Sequence, residues 1–355
     1  MTSASRHAEL RDFVAAHFPQ RDFALAPASA DASFRSYWRV DAGGETRIVM
    51  DAPPDKENVA PWLDIGARLH AAGLHTPEVF ATDHARGFIL MEDLGDRTYL
   101  PELSAASADA LYGDALDALL TMQTRVSPAG LPPFDEALLR SGMEIMPAWL
   151  FDRHLGFVPD DEDVATIETA FTLLVANAQA QPQVFVHRDF HSRNLMLIRE
   201  LGIENRESER ATAPPSFSNP GIIDFQGALH GPIAYDLASL LRDCYIAWPR
   251  ERVEAWMRGY HHRLRAAGVV DVDAATFRRW FDLVGLQRHT RLLGQFCRLH
   301  YRDGKPGYLN DLPLTLRYVL DIARGYPELA AFADLIERAV GDRDIARARP
   351  QERAA

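Results

Sequence analysis

The chain has 355 residues, of which 47% are hydrophobic and 25% charged, and its formal net charge is −12. This length is sufficient for two lobes, each with its own core, and the composition is that of an ordinary globular protein. A general nucleic-acid-binding protein is usually basic, so that class is disfavoured. An anionic ligand would have to be held by local devices such as a metal, backbone N–H groups or a few placed cations.

The sequence gives no indication of a targeting or membrane-spanning segment. The N-terminal residues contain no apolar run, and no apolar stretch of about 18 residues occurs anywhere. Cys244 and Cys297 are the only cysteines, which are too few for a disulfide framework in a chain of this length. We therefore expect a cytoplasmic protein without a membrane partner.

The first hundred residues, approximately, predict a small mixed β-sheet with one helix packed on it. Alternating apolar and polar residues, a Gly-Gly turn at 43–44 and a returning apolar stretch indicate a β-hairpin. Apolar residues at helical spacing follow, and Gly73 marks the end of that helix. The predicted elements are helices over 8–18 and 57–72 and strands over 34–40, 46–50, 79–81 and 88–91.

After about residue 96 the pattern changes to long helices with apolar residues at helical spacing. Residues 199–220 are polar and contain a Pro-Pro pair, so they predict a surface loop. The predicted elements are helices over 107–125, 135–151, 161–180, 233–247, 250–266, 275–300, 312–324 and 327–340 and short strands over 184–186, 195–198 and 222–223.

The most informative stretch reads His-Arg-Asp at residues 187–189, with Asn194 five residues after the Asp; Asp224 follows a short apolar strand thirty residues later. A tight loop can aim Asp189 at an acceptor hydroxyl as a general base, with His187 bracing the loop. Asn194 and Asp224 can then hold a Mg²⁺ ion that bridges nucleotide phosphates. A single Asp after a strand is more often a turn or cap residue, but the joint spacing predicts phosphoryl transfer.

These motifs resemble the aminoglycoside phosphotransferase and choline kinase family, whose catalytic loop reads His-x-Asp-x-x-x-x-Asn and whose metal strand reads Ile-x-Asp. The resemblance covers about residues 30–325. It implies ATP and Mg²⁺, and an α+β, protein-kinase-like fold of two lobes, a small N-lobe sheet with one helix and a larger helical C-lobe. We expect a nucleotide-binding lobe over 1–95 that ends at a hinge, a helical lobe over 96–345 and a frayed tail over 346–355.

One group within this family is similar over more of the sequence. Residues 48–53, 224–226, 231–232, 235–243 and 301–306 resemble the bacterial anomeric N-acetylmuramate/N-acetylglucosamine kinases of cell-wall recycling, which phosphorylate the C1 hydroxyl. The resemblance implies a small-molecule sugar acceptor, and we expect a monomer. Asp236 lies in an apolar helical run, where a buried carboxylate needs donors. Both this need and the resemblance predict that Asp236 supports the catalytic loop, which is compatible with a place in the first turn of a helix.

The nucleotide-binding residues are marked less clearly. Residues 33–37 lie where such kinases place the loop over the phosphates, but they contain no glycine, and an ordinary hairpin end fits them as well. The strand that should carry a phosphate-pairing lysine has none, so Arg35, Arg47 or Lys56 would have to replace it. Residues 91–94 resemble the hinge that pairs with adenine, although their apolar neighbours also fit a core. The candidate nucleotide-binding residues are Ser33, Arg35, Ser36, Arg47, Glu92 and Leu94.

A stripe of polar residues marks the helix predicted over 275–300. Arg288, Arg291, Gln295 and Arg298 are spaced three, four and three residues apart and so share one side of the helix. The stripe fits a solvated helix face, and it also fits a set of cations that meet the carboxylate of an acidic sugar. The candidate substrate-binding residues are Arg153, Arg193, Arg288, Arg291 and Arg298, with His154 beside them.

Three other functions are compatible with parts of the sequence. A eukaryotic-type protein kinase is disfavoured because the V-A-I-K, D-F-G and A-P-E motifs are missing. An aminoglycoside or other small-molecule hydroxyl acceptor stays open, although the basic stripe argues against a cationic antibiotic. A non-catalytic, kinase-like nucleotide-binding module is suggested by the missing lysine, but the presence of Asp189, Asn194 and Asp224 argues against it.

Overall fold

The computed structural model describes residues 3–19, 21–30, 34–198 and 220–349. The described residues form two compact units, one within Met1–Val126 and Arg193–Gly227, the other within Ser127–Ser192 and Ala228–Ala355. The lobe boundaries expected at residues 95 and 345 stay a prediction. Within the described ranges, no helix is long and apolar enough to span a bilayer.

Eleven α-helices and nine strands are described. The helices are α1 (Ser3–His17), α2 (Ala60–Ala71), α3 (Tyr99–Glu102), α4 (Ala108–Arg125), α5 (Glu136–Met146), α6 (Asp161–Gln179), α7 (Tyr235–Leu241), α8 (Arg250–Ala266), α9 (Ala274–Tyr301), α10 (Leu312–Ala323) and α11 (Ala330–Val340). The strands are β1 (Ala24–Ala30), β2 (Ser36–Ala42), β3 (Glu45–Asp51), β4 (Val79–Asp83), β5 (Phe88–Glu92), β6 (Gln183–Val186), β7 (Leu195–Met196), β8 (Gly221–Ile222) and β9 (Leu229–Pro232). A π-helix (Pro147–Leu155) and two 3₁₀ helices (Pro306–Asp311 and Pro327–Leu329) complete the set.

The first unit is built on a five-stranded sheet in the order β1-β2-β3-β5-β4, and every pairing is antiparallel rather than mixed. Buried apolar residues of α1, such as Leu10 and Phe13, pack with Val40 and Val49 of the sheet. Strand β1 was not predicted, because its small residues do not alternate with polar ones and Pro27 interrupts them. As an edge strand, β1 can tolerate a proline, because one of its sides needs no ladder hydrogen bonds.

Helix α2 supports the segment that follows β8. Trp62 on its buried side lies 5.2 Å from the ring of Phe225, centroid to centroid. Gly66 leaves room for the same ring, because a Cβ atom there would lie 3.1 Å from Phe225 Cζ. The helix ends before Gly73, whose φ of +85° suits glycine. The packing fixes the residue that directly follows Asp224.

The second unit is arranged around α9, which contacts α5, α6, α7, α10 and the π-helix. Every residue from 281 to 290 is buried, so this part of the helix has no solvent face. Gly294 allows α5 to approach closely, because a Cβ atom there would lie 2.6 Å from the backbone of Ile145. The central position of α9 decides the environment of its arginines.

Two helix predictions in the second unit were too long. The helix predicted over 135–151 is α5 followed by a π-helix, since Pro147 has no N–H to continue the α-helical pattern. The helix predicted over 233–247 ends at Leu241, because the Asp243 side chain beyond it accepts the backbone N–H of Tyr245 at 3.1 Å. Strand β9, which pairs with β6, was not predicted, because its sequence Leu-His-Gly-Pro shows no strand pattern.

Candidate active site

A cavity of about 410 Å³ opens in the first unit. The hinge residues Glu92 and Leu94, which were predicted to bind nucleotide, line it. Asn194 and Asp224, which were predicted to bind metal, line the same cavity although they lie about 100 and about 130 residues further along the sequence. Tertiary folding therefore brings the two predicted sets together within this unit.

The side chains of Asn194 and Asp224 are in contact. Asn194 Nδ2 lies 3.3 Å from Asp224 Oδ2, and Gln226 Nε2 donates to Asp224 Oδ1 at 2.7 Å. The β7–β8 pairing brings the two segments together, and the Ile223 N–H donates to the Asn194 carbonyl at 3.1 Å. Carboxylate and carboxamide oxygens are ligands that Mg²⁺ accepts, usually with one or two carboxylates completed by water and phosphate. No cluster of three or more His, Cys, Asp or Glu suited to a metal occurs in the described ranges.

Two non-glycine residues of the described chain have a left-handed backbone, Arg188 with φ of +80° and Asp224 with φ of +62°. Such a conformation costs about 1–3 kcal/mol and persists only where the surroundings impose it. One of these residues precedes the predicted base, and the other is the predicted metal ligand. Backbone strain in the described chain is thus found at both predicted catalytic segments.

Three cations were considered for the role of the missing lysine, and they differ in their surroundings. Arg35 Nη2 lies 3.7 Å from Asp224 Oδ1, and its side chain is only 10% exposed. Arg47 instead pairs with Glu45 at 2.9 Å. Lys56 lies over the ring of Phe34, 4.9 Å from its centroid. Arg35 is therefore the candidate that reaches the predicted metal ligand.

The remaining nucleotide candidates that the structure describes are not found in the cavity wall. Ser36 opens β2, where its hydroxyl accepts the Trp38 indole N–H at 3.2 Å. Neither Ser36 nor Arg47 is part of the cavity wall, although both are described. Ser33 lies outside the described residues, as does all of the predicted 199–220 loop except Pro220.

An ion pair that was not predicted from the sequence lies in the cavity wall. Arg39 Nε donates to Asp93 Oδ2 at 2.6 Å, and Arg39 Nη2 donates to Asp93 Oδ1 and to the Gly95 carbonyl, both at 3.0 Å. Burial opposes ionisation of Asp93, but the donors of Arg39 and Gly95 hold its pKa below the usual value. This pair ties β2 to the hinge segment. The alternation of side chains along β2 could have indicated the role of Arg39, because it places Arg39 on the same side of the strand as Tyr37, which also lines the cavity.

In the second unit, Asp236 holds the start of the predicted catalytic loop. Its fully buried carboxylate accepts the backbone N–H of His187 at 2.6 Å and that of Arg188 at 2.9 Å. The His187 ring packs edge-to-face against Phe190, with centroids 5.7 Å apart. The left-handed backbone at Arg188 accompanies two successive N–H groups that point at one carboxylate.

A second buried carboxylate, Asp243, holds the end of this loop. It accepts the Ser192 backbone N–H at 3.0 Å and also the Ser192 hydroxyl. Asp243 is the last residue of a stretch that resembles the sugar kinases, but no role was predicted for it. The sequence spacing from Asp236 could have indicated a role, because seven residues are about two helical turns. Two carboxylates in one apolar run both need hydrogen-bond donors.

Asp189 is partly exposed and lies between these two anchors in sequence. Burial opposes its charge, but the positive charges of Arg291, His191, Arg288 and Arg188 hold the pKa of its carboxyl below the usual value. The group is therefore ionised at neutral pH, as a general base must be.

The interpretation of the arginine stripe as a solvated face is wrong. Arg288 is 1% exposed, and Arg291 and Arg298 are partly buried, because other helices surround α9. Buried guanidinium nitrogens of all three lack a hydrogen-bond partner within the described chain, namely Nε and Nη1 of Arg288, Nη1 of Arg291 and Nε of Arg298. The stripe is a row of one buried and two partly buried cations, each with at least one buried nitrogen that lacks a partner in the described chain.

The other acceptor-side candidates lie elsewhere. Arg153 is exposed over the ring of Tyr301, 5.0 Å from its centroid. His154 Nε2 donates to the Ile345 carbonyl at 2.9 Å, and Nδ1 accepts the Tyr301 hydroxyl at 3.0 Å. These contacts, with the Arg349 N–H at 3.1 Å from the same hydroxyl, attach the described part of the tail. Arg193 lines the cavity of the first unit.

Comparison with known proteins identifies the family. The model of the phosphotransferase enzyme family (APH) matches residues 24–203 and 216–271. The chain belongs to this family. The family resemblance found in the sequence is therefore confirmed, and the chain is an ATP-dependent phosphotransferase with a hydroxyl acceptor.

Relatives of this phosphotransferase match over most of both chains. A protein of Pseudomonas putida named N-acetylmuramate/N-acetylglucosamine kinase is 42% identical over 88% of this chain and 87% of its own length. A protein of the same name from Neisseria meningitidis is 36% identical, over 96% of this chain and 98% of its own length.

Solved structures support the fold of the phosphotransferase. Choline kinase LicA from Streptococcus pneumoniae matches with a TM-score of 0.60 and 12% identity, over 89% of this chain and 99% of that chain. An ADP-bound aminoglycoside phosphotransferase matches with a TM-score of 0.54 and 16% identity, over 89% and 98% of the respective chains. At such identities the likeness shows the fold alone, and the predicted kinase-like fold class is confirmed.

Proposed function

We propose that this phosphotransferase transfers the γ-phosphoryl group of ATP to the anomeric C1 hydroxyl of N-acetylmuramate and of N-acetylglucosamine, in peptidoglycan recycling. The observation that carries the proposal is the identity of 36–42% to kinases named for these two sugars, over most of each chain. The buried arginines of α9 support an acidic acceptor and argue against a cationic aminoglycoside.

The first unit would bind ATP in its cavity. Backbone groups of Glu92 and Leu94 would pair with adenine, as in related kinases, and the Arg39–Asp93 pair would keep this segment in place. Arg35 would replace the missing lysine and meet the phosphates, because its guanidinium is already beside Asp224. Asn194 and Asp224 would hold Mg²⁺, which when bound supplies charge neutralisation at the β- and γ-phosphates.

The second unit would supply the base. Asp189 would accept the proton of the C1 hydroxyl as the bond from that oxygen to the γ-phosphorus forms and the bond from the γ-phosphorus to ADP breaks. An anomeric hydroxyl is somewhat more acidic than other sugar hydroxyls, so a carboxylate base suffices. Asp236 and Asp243 would keep Asp189 in position by fixing the loop on both sides.

We further propose a cytoplasmic monomer whose partner is its small-molecule sugar, without nucleic acid or membrane. Cys244 and Cys297 are both buried free thiols, which fits a reducing compartment. Light scattering of the purified protein at working concentration tests the oligomeric state, and a dimer mass would contradict it.

The function is tested by measuring ATP turnover with N-acetylmuramate, N-acetylglucosamine, kanamycin, choline and homoserine. We expect turnover with the two amino sugars and a phosphorus NMR signal of a phosphate ester at C1. Phosphate at C6, or turnover on kanamycin in place of the sugars, would refute the acceptor assignment but leave the phosphotransferase assignment intact.

A further inference from the structure

The side chain of Arg291 is placed for a ligand that the chain itself does not supply. Arg291 makes no hydrogen bond or ion pair with any side chain or backbone group of the described residues, and its Nη1 is buried. A buried guanidinium donor without an acceptor is unfavourable, so the position favours an anion that arrives from outside.

The packing of α5 against α9 gives Arg291 a fixed seat. A Cβ atom at Gly142 of α5 would lie 3.2 Å from Arg291 Cδ, so the absence of a side chain at Gly142 leaves space for the stem of the arginine. Gly294, one turn further along α9, brings the two helices to backbone contact. The guanidinium is thus held by its apolar stem rather than by a carboxylate of the protein.

The three arginines of the stripe are not equivalent. Arg288 is 1% exposed; burial opposes its charge, but nearby acidic groups, among them Asp189 and Asp243, hold its pKa above the usual value. Arg291 is partly exposed, and among the positive groups around Asp189 it acts most strongly on the pKa of that carboxyl. A ligand carboxylate at Arg291 would therefore belong to a molecule whose reacting hydroxyl is close to the base.

Arg298 extends the same site. It lies two turns after Arg291, its Nη2 donates to Gln295 Oε1 at 2.6 Å, and its Nε is buried without a partner in the described chain. Burial lowers the pKa of Arg298, and the charges of Arg302 and Arg291 lower it further. Two guanidinium groups that repel each other and both retain unused donors favour an anion that both can bind.

We propose that Arg291, assisted by Arg298, binds the carboxylate of the acceptor and makes this residue pair the specificity site for an acidic amino sugar. The proposal rests on the proposed function. N-acetylmuramate carries a lactyl carboxylate that N-acetylglucosamine lacks. The arginine pair therefore contributes to the binding of N-acetylmuramate, whereas N-acetylglucosamine binds only through the groups that the two sugars share. Arg288, which is 1% exposed, is not part of this pair.

The test compares kcat/KM for both sugars in the wild type and in Arg291→Ala. We expect kcat/KM for N-acetylmuramate to fall about 10- to 100-fold, the range of a charge-assisted bidentate pair, and that for N-acetylglucosamine to change less than about threefold. Arg298→Ala should show the same selectivity with a smaller loss. Arg279→Ala is the matched control, since Arg279 is on the same helix and pairs with Glu328 at 2.7 Å; it should leave both values unchanged.

A second measurement changes the substrate instead of the enzyme. The methyl ester of N-acetylmuramate lacks the charge, so the wild type should prefer the acid to the ester by about the factor lost in Arg291→Ala. The variant, or Arg291→Lys if the alanine variant does not fold, should show a smaller preference. Equal losses of kcat/KM on both sugars in Arg291→Ala would overturn the inference, as would an unchanged preference of the variant for the acid over the ester. In either case the wild type would still phosphorylate both sugars, so the proposed function would stand. A wild type inactive on both would instead refute the proposed function.

Discussion

The carboxylate of Asp236 accepts the backbone N–H of Arg188 at 2.9 Å, at a residue whose φ is +80°. This carboxylate is fully buried, and its other oxygen accepts the neighbouring N–H of His187 at 2.6 Å. One side chain therefore satisfies two backbone donors in a strained turn that leads directly to Asp189. The contact explains how a short loop keeps a rare backbone conformation.

Asp236→Ala should destabilise the fold. Two buried N–H groups would lose their acceptor, which costs roughly 1–3 kcal/mol of unfolding free energy. Urea denaturation measures this change, with Asp271→Ala as the control, since the side chain of Asp271 is 99% exposed. If the unfolding free energy is unchanged but turnover is lost, Asp236 acts in the chemistry and not in support of the loop.

The contribution of Asp236 to stability should fall as the pH rises. Burial, and then the like charge of Asp189, raise its pKa to about 7 from the usual 3.8, while the two N–H donors and Arg288 act in the opposite direction. Between these two values the folded state keeps a proton that the unfolded state has lost, so the free energy of unfolding decreases with increasing pH.

Asp236→Asn tests this sign, because it cannot titrate. The stability advantage of the wild type over the variant should be larger at about pH 5 than at about pH 8. An advantage that grows with pH would mean that the N–H donors dominate and that the carboxylate is ionised throughout.

Asp189→Asn should lose about 10²- to 10⁴-fold in kcat, because the proton of the acceptor hydroxyl would have no base to receive it. ATP affinity, measured by calorimetry, should change little, since the cavity that Glu92 and Leu94 line lies in the other unit. Substantial turnover in a folded Asp189→Asn protein would remove Asp189 from its assigned role.

Asp224→Ala should abolish the dependence of ATP binding on Mg²⁺, because the substitution deletes the carboxylate that Asn194 and Gln226 hold in place. Calorimetry with and without Mg²⁺ should give the same weak ATP affinity in the variant and different affinities in the wild type. Asp22→Ala, an exposed change of the same charge in the same unit, is the control. A variant that still gains affinity from Mg²⁺ would contradict the metal assignment.

Arg35→Ala should raise the KM for ATP by about 10- to 100-fold, the range expected for loss of a charge-assisted contact to phosphate. Arg47→Ala should stay within about threefold of the wild type, because Arg47 is paired with Glu45 outside the cavity wall. The reverse order of effects would assign the missing lysine's role to Arg47.

The sequence alone was sufficient for features that depend on local spacing. Apolar residues at helical intervals predicted most helices to within a few residues. The short interval between Asp189 and Asn194 indicated the phosphotransferase family, while the roles of these two residues stay predictions. These signals are readable because each depends on residues that are close in the chain.

Features that depend on distant partners were decided by the tertiary structure. Strands β1 and β9 are held by backbone hydrogen bonds to other strands, and the side chains of β1 and β9 show no pattern that predicts these pairings. The Arg39–Asp93 pair joins residues 54 positions apart, and Ser192 with Asp243 joins residues 51 apart. No local pattern contains the identity of such a partner.

The arginine stripe shows most clearly what residue spacing leaves undetermined. A spacing of three, four and three residues places Arg288, Arg291 and Arg298 on one side of a helix, but the same spacing fits solvent and interior equally. Whether that side of the helix is exposed to solvent depends on which other elements pack against it. In this chain the other helices pack around α9, so Arg288 is buried, and Arg291 and Arg298 are partly buried with unused donors. Only the packing of the second unit determines this outcome.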